Sequence, residues 1–430
     1  MDKVKNKILV ISYDFFPDNS PNTYRWLNVL RKWNERGVEI HVLSFHKNNF
    51  TEYEEFEGII IYRIGKSAFE KLKSKIFNVS EKENYIPNIQ NQNIDKKGFI
   101  RKIYNLTWKK LYFPDFAFLW QSAALKKASE IIKKENITDL ITVSWPFSDH
   151  VVGSRLKKKF VNINWIADTI DPFYLSKAVN NNFLYNSLNY NYEKKVLSSA
   201  DVVTVLTDKL KHKYSKLYPS IKDKISVNHN IFVPYDRIQA ADKENNGKTK
   251  LVFVGTLTPI TRSPLNLLQL FDNLFNLNNN IFDLELHFYG DHKQCADIFE
   301  KYNYLLEQSI FLHGLVPREQ IPTILDSASI LINIGNNNEF QEPSKILEYI
   351  YFGKPILNVC SIEKDSSLEV LSKYDLNYNV FVNDIDDKQK EIELLSFLSN
   401  KHNITDEQIN NILCDYLLPE VEKRYFKLLI

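Results

Sequence analysis

The chain reads as an α/β protein made of two successive parallel-sheet domains, and two observations predict this. Strand-like and helix-like apolar patterns alternate along almost all of its 430 residues, which is the signature of parallel strands joined by crossover helices. A polar, core-poor stretch at 239–250, rich in Asp, Lys, Asn and Gly, divides the alternation into two series and marks a linker. The expected boundaries are therefore a first domain at 1–238, a linker at 239–250, a second domain at 251–410 and a tail at 411–430.

In the first series the expected strands are 7–13, 39–45, 59–64, 140–145, 164–168 and 202–206. Helical patterns lie between them at 22–36, which Gly37 stops, and at 116–134. The second series gives strands at 251–254, 285–289, 310–312, 330–334, 355–359 and 378–382. Two such sheets would face each other across a cleft, and ligands bind outside the carboxyl ends of parallel strands. The tail carries apolar Tyr425, Phe426, Leu428 and Leu429. No internal repeat is visible.

Composition excludes several classes of protein. With 44% hydrophobic and 25% charged residues the chain is ordinary for a globular enzyme. A net charge of +2 argues against nucleic acid as a partner. No run approaches the roughly 18 apolar residues of a membrane span, and Met1-Asp2-Lys3 leads into a strand rather than a signal peptide, so a cytoplasmic location is expected. Cys295, Cys360 and Cys414 have no CxxC spacing, which disfavours a disulfide framework or zinc site and suggests buried thiols. GxGxxG, Walker A and GxSxG motifs are absent, which removes dehydrogenase, NTPase and hydrolase readings.

The most informative run is 342–357, EPSKILEYIYFGKPIL, following an apolar strand that ends at Gly335. A helix opening at Pro343-Ser344 points free backbone N–H groups at one spot, and such a helix start attracts phosphate. Lys345 adds a positive charge. Glu348 falls on the same face one turn beyond Ser344, so its carboxylate can accept hydrogen bonds from a ribose while Ser344 and Lys345 hold a diphosphate. The pattern is that of a nucleotide-sugar site.

That segment resembles the donor-binding helix of a large retaining glycosyltransferase family, the family 4 or group 1 type, in the subgroup with a PSK(I/L)xEY-type run. The likeness continues in order along the chain. Residues 7–12, then Phe15-Phe16-Pro17-Asp18 and Arg25, are similar to the family's opening strand, acceptor-side loop and first helix. Ser144-Trp145-Pro146 with His150, and Asp168-Thr169-Ile170-Asp171-Pro172, are similar to cleft loops. Residues 251–256 and Leu312-His313-Gly314-Leu315-Val316-Pro317 are similar to donor-domain strands. The resemblance implies the GT-B fold: an acceptor-side Rossmann-like domain, a donor-side one, and a tail crossing back to the first. It implies transfer from a UDP- or GDP-sugar to a lipid-linked or growing glycan, with retention, in capsule- or O-antigen-type polysaccharide biosynthesis. Front-face attack assisted by the leaving phosphate, with no metal and no other cofactor, belongs to the same implication.

Glycosyl transfer needs fixed donors and cations at the departing diphosphate. The expected cations are Arg262, in the loop after Gly255 and Thr256, and Lys345. Family members usually carry Arg directly after that Gly; here Thr256 takes its place, and Arg262 occupies roughly the position of the family's following Lys. The family's first donor-helix glutamate is replaced by Phe340, which leaves Glu342, beside Pro343-Ser344, as the sugar-facing carboxylate. His150 is expected in a first helical turn with Ser148 as N-cap, where the helix dipole favours a neutral imidazole able to bond a sugar hydroxyl. Asp168 and Asp171 are candidates to orient the acceptor hydroxyl or accept its proton, with turn chemistry as the alternative. An acidic run, Asp384-Ile385-Asp386-Asp387, precedes a helical pattern, which explains it without a metal.

Residues 66–113 stand apart, with 11 Lys or Arg against 4 Asp or Glu, a local excess of +7 interleaved with aromatics. Such a segment suits an anionic membrane surface or a lid packed on the first domain. Two other functions fit the same scaffold: a nucleotide-sugar 2-epimerase, and a non-catalytic scaffold subunit of a polysaccharide assembly complex.

Overall fold

The computed structural model describes residues 6–18, 20–47, 50–65, 112–176, 182–235, 248–277, 283–335, 339–340, 344–400 and 403–430. It contains two units, one formed by 1–229 with 422–430 and the other by 230–421.

The first unit is built on an eight-stranded sheet of order β3-β4-β2-β1-β5-β6-β7-β8. Its strands are β1 (Lys7–Ile11), β2 (Glu39–Phe45), β3 (Tyr53–Phe56), β4 (Ile59–Ile64), β5 (Asp139–Ser144), β6 (Asn164–Thr169), β7 (Val202–Val205) and β8 (Ile225–Val227). All neighbouring pairs are parallel except β3 with β4. β5 and β6 are buried at every position, as strands covered on both faces must be. The sequence reading missed β3 and β8. β3 is an edge strand whose side chains alternate between exposed and half-buried, and it is joined to β4 by Glu57 and Gly58, both at positive φ (50° and 76°). That is the two-residue turn that favours a hairpin. β8 has three residues, too few for a periodic signal.

Residues 422–430 complete this unit. Tyr425 packs against Trp26 at 4.9 Å between ring centroids. Asn164 donates to the Leu428 carbonyl (2.8 Å), and the Ile430 N–H donates to Asp139 (3.0 Å).

The second unit holds a six-stranded, all-parallel sheet of order β11-β10-β9-β12-β13-β14. These strands are β9 (Lys248–Val254), β10 (Asp283–Tyr289), β11 (Ile310–Gly314), β12 (Ile330–Ile334), β13 (Ile356–Cys360) and β14 (Asn377–Phe381). One face packs on Leu267, Leu268, Phe271, Phe299 and Leu394. The other packs on Ile346, Leu347, Ile350 and Tyr374. β9 begins three residues earlier than its apolar run, so 248–250 belong to the sheet and not to the linker. Lys248, Thr249 and Lys250 pair with Asp283, Leu284 and Glu285, and a Lys248–Glu285 salt bridge of 2.5 Å offsets the polarity of that end. The rest of the linker lies outside the described residues.

Among the described residues no helix is long and apolar enough to cross a membrane. Cys295 and Cys360 are buried free thiols, but Cys414 is exposed, because it follows the buried Leu413 on the outer side of its turn.

Candidate active site

Among the parallel strands of each sheet the order reverses once, between β1 and β5 in the first unit and between β9 and β12 in the second. Such switch points open a crevice at the carboxyl ends of the strands.

In the second unit, β9 ends at Val254 and runs into Gly255, whose φ of 155° suits glycine. A Cβ there would lie 2.1 Å from Lys345 Nζ, so only glycine lets the ammonium approach. Lys345 comes from helix Ser344–Tyr351 and donates to the Val254 carbonyl at 2.7 Å. That helix buries Ile346, Leu347, Tyr349 and Ile350. Its alternation leaves Ser344 exposed and Lys345 and Glu348 half-buried on the other face, as the one-turn spacing predicts.

Arg262 closes the loop after Gly255, where Thr258 and Arg262 exchange backbone hydrogen bonds of 3.1 and 3.2 Å. Thr256 is exposed on this loop. Burial and then the nearby Arg262 push the Lys345 ammonium down to about 8, with Glu348 opposing. Burial raises the Glu348 carboxyl, against the Tyr235 hydrogen bond and the charges of Lys345 and Arg318. Tyr235 donates to Glu348 Oε1 at 3.1 Å and is itself tied by Tyr351, which donates to its carbonyl at 2.7 Å. The structure thus brings together Gly255, Arg262, Lys345 and Glu348. Two desolvated cations can pair with a dianion, and the carboxylate beside them can accept hydrogen bonds from hydroxyls. Sequence reasoning missed Tyr235, which lies beyond the motif and whose contact with Glu348 is purely spatial. Glu342 and Pro343 lie outside the described residues.

In the first unit Asp168 is 1% exposed and fully bonded: Trp26 donates to Oδ2 (2.9 Å), while Thr204 and Tyr425 both donate to Oδ1 (2.5 Å). Arg25, 3% exposed, donates to Tyr425 OH and to the Asn228 carbonyl. Both residues therefore tie the closing helix to the sheet, and neither faces solvent. His150 is fully buried between Thr142 Oγ1 (2.7 Å) and Thr169 Oγ1 (3.3 Å), and burial pushes it down to about 3. Burial among hydroxyls, and not a helix start, is what disfavours the imidazolium form here. Ser148 is not the cap of its helix. Phe147 holds that position without a side-chain bond, and Asp115 accepts from the Ser148 N–H (2.8 Å) and Oγ (2.6 Å).

Asp171 differs from these. It is half-buried just past β6, and burial pushes its carboxyl up to about 6. Ser144 Oγ donates to its backbone carbonyl at 3.2 Å. Near the carboxyl ends of β1 and β5, Tyr13 stacks on Phe45 (4.7 Å) and meets Phe116 and Trp120 edge-on (both 5.3 Å), and Trp145 lies 5.8 Å from Phe116. Aromatic walls with a few polar groups are typical of ligand sites.

Each carboxylate of the acidic run 384–387 has a structural partner. Asp384 accepts from Phe381 N–H, Asp386 from Gln269 and Asn273, and Asp387 caps the next helix. Among the described residues, Glu39, His41 and Glu135 place ligand-type atoms within 4.8 Å of one another, but Lys7 pairs with Glu39 (2.8 Å) and Lys134 with Glu135 (3.0 Å).

Two Rossmann-like units, each with its switch point at the carboxyl ends of parallel strands, define the GT-B fold. Solved structures of that fold match the whole chain. A glycosyltransferase from Rickettsia africae ESF-5 superposes at a TM-score of 0.58 and 14% identity, covering 99% of this chain and 98% of that one. The apo lipopolysaccharide outer core galactosyltransferase WaaB gives 0.58 at 13% identity over 98% of both chains. TarM gives 0.63 at 11% identity over 99% of both. At such identities the likeness is one of fold. No protein-family model matches the sequence, and no curated protein does.

Proposed function

We propose that the protein is a glycosyltransferase that moves a sugar, with retention, from a UDP- or GDP-sugar to a lipid-linked or growing glycan in capsule- or O-antigen-type polysaccharide assembly. The observation that carries this reading is the convergence of Arg262, Lys345 and Glu348 beside Gly255 at the second sheet's switch point. Arg262 and Lys345 hold the diphosphate, with the Ser344 helix start adding backbone donors, and Glu348 takes the ribose hydroxyls. As the bond from the anomeric carbon to the phosphate oxygen breaks, negative charge grows on the diphosphate, where these cations act most strongly. The acceptor oxygen bonds to the same face of that carbon, and its proton passes to the departing phosphate oxygen. Asp171 orients the acceptor hydroxyl, and Glu342 contacts the sugar. The basic side chains serve the diphosphate without a metal. An ammonium at Gly255 also answers the missing Arg after that residue, which favours an enzyme over an inert scaffold.

The acceptor's lipid places the enzyme at the cytoplasmic membrane face, with the basic segment 66–113 at anionic headgroups. That segment lies outside the described residues up to 111. Phe113, where it ends, contacts Tyr185, and next to Tyr185 are the exposed Phe183, Leu184 and Leu188.

A thermal-shift screen with UDP, GDP, CMP and dTDP sugars, followed by a transfer assay on lipid-linked glycans, tests the reading. A ligand at 100 times its Kd adds about 2.7 kcal/mol of stability. One UDP- or GDP-sugar should raise Tm and support acceptor-dependent transfer. An epimerase would convert donor without acceptor, and a scaffold would show no saturable shift.

A further inference from the structure

We propose that Glu193 is a positioning residue that fixes the loop after β6, and with it Asp171, for the acceptor; this rests on the transfer reaction proposed above. Glu193, from helix Asn182–Ser198, is 0% exposed. Each of its oxygens accepts two hydrogen bonds: Oε1 from Phe173 N–H (2.9 Å) and Tyr214 OH (2.6 Å), and Oε2 from Tyr174 N–H (3.1 Å) and Tyr218 OH (2.7 Å). A buried carboxylate is costly, and apolar replacements of such groups are often neutral or stabilising. Its use here has a local result. Two consecutive backbone N–H groups, belonging to a loop with no strand or helix to pair them, are held on one rigid carboxylate.

The same loop is anchored at its other end by Ser144 Oγ on the Asp171 carbonyl (3.2 Å). The side chain of Asp171 itself makes no hydrogen bond among the described residues, in contrast to Asp168 three positions earlier. A side chain without a hydrogen-bond partner on a loop clamped from behind is how a rigid support presents a reacting group. The ring of Tyr190 packs against Tyr174 and Tyr218, both at 5.4 Å, and its hydroxyl donates to the Leu217 carbonyl (3.0 Å), so the clamp is braced in turn.

The test compares Glu193→Gln with the wild type and Asp171→Asn in acceptor and donor kinetics across pH. Burial alone sets the Asp171 carboxyl near 6, with no charged neighbour contributing. The titratable groups packed on its loop, Glu193, Tyr214 and Tyr218, are all raised by burial. Wild-type kcat/KM for acceptor should rise with pH through about 6 as Asp171 loses its proton. In Glu193→Gln the amide leaves one backbone N–H unpaired. The loop loosens, Asp171 gains solvent, the acid limb moves to lower pH, and acceptor kcat/KM falls roughly tenfold with donor KM unchanged. Asp171→Asn should lack the limb.

A merely structural Glu193 would lower Tm and the active fraction while leaving the limb and acceptor KM in place, and that result overturns the proposal. Should Glu193→Gln not fold, hydrogen exchange on the wild type decides. Phe173 and Tyr174 amides protected like sheet amides support the clamp, and amides exchanging like an open loop refute it. If the wild type transfers no sugar from any donor, the reaction assignment fails instead, and the exchange result still stands by itself.

Discussion

If Lys345 holds the diphosphate as proposed, nucleotide-sugar binding should depend on pH in a range where few side chains titrate. Its ammonium is pushed from 10.5 to about 8 by burial and by Arg262, which corresponds to about 3 kcal/mol against the charged form at 1.36 kcal/mol per tenfold. A bound diphosphate reverses that balance, because it brings negative charge to a site that is short of it. The complex therefore holds the proton more tightly than the free protein. Binding takes up a proton above pH 8, and affinity falls as pH rises through the free-protein value. With that value at about 8, the protonated fraction drops roughly tenfold between pH 7 and 9, so Kd should weaken by about that factor. Titration calorimetry at pH 7, 8 and 9, in buffers of different ionisation enthalpy, measures both the affinity and the proton uptake. Lys345→Met should bind more weakly at pH 7 and lose the slope; nucleobase ionisation is common to both proteins and cancels. A flat wild-type profile, or an equal slope in Lys345→Met, would refute the placement of Lys345 at the diphosphate.

Glu348→Ala should weaken donor binding by about 1.5–3 kcal/mol for each ribose hydrogen bond lost, and unchanged calorimetry would remove the ribose assignment. Asp168→Asn should cost about 2–4 kcal/mol in denaturant unfolding, since it disrupts bonds from Trp26, Thr204 and Tyr425, while the folded fraction keeps its kcat; a lower kcat at unchanged stability would restore a chemical role. Transfer should persist in excess EDTA, and activity lost there but regained with magnesium or manganese would return attention to Asp384 and Asp386. The protein should co-sediment with anionic but not zwitterionic liposomes and be released by salt, because each basic residue contributes roughly 1 kcal/mol at such a surface. Replacing Lys97, Arg101, Lys102, Lys109 and Lys110 with Gln should abolish that, and equal binding by the variant would leave the segment as a lid.

Much of the fold was legible because parallel strands buried on both faces leave long apolar runs. β1, β5, β6, β12 and β13 are buried at all or all but one of their positions, and each has an apolar stretch at its centre or across most of its length. β3 and β8 lack that signal, the first being an edge strand and the second three residues long. In the second unit, the shared face of Lys345 and Glu348 was readable because helical spacing fixes which side chains lie together. In the first unit spacing gave no such guide. Asp168, Asp171, His150 and Arg25 are all polar residues at strand ends or in helices, and nothing local separates them. Asp168 and Arg25 are claimed by Tyr425, 257 and 400 residues away in the chain, and His150 by Thr142 and Thr169 on neighbouring strands. The support at Glu193 was hidden for the same reason, since its four donors come from two segments distant from it in sequence.

The closing segment of the first unit also bears on how the chain is made. Asp168 waits for Tyr425 and Asp139 for the Ile430 amide, yet the whole of 230–421 is synthesised in between. At about 5–20 residues per second that interval lasts roughly 10–40 s, during which those carboxylates lack these partners. The second unit has all its strands in hand before the first is finished, although it starts later. A ribosome that stalls or terminates ahead of Glu422 would release a nascent chain whose second half is complete and whose first half is not. Such a product would be marked for proteolysis by its unfilled Trp26 and Trp33 surface rather than by any defect near Gly255 and Lys345.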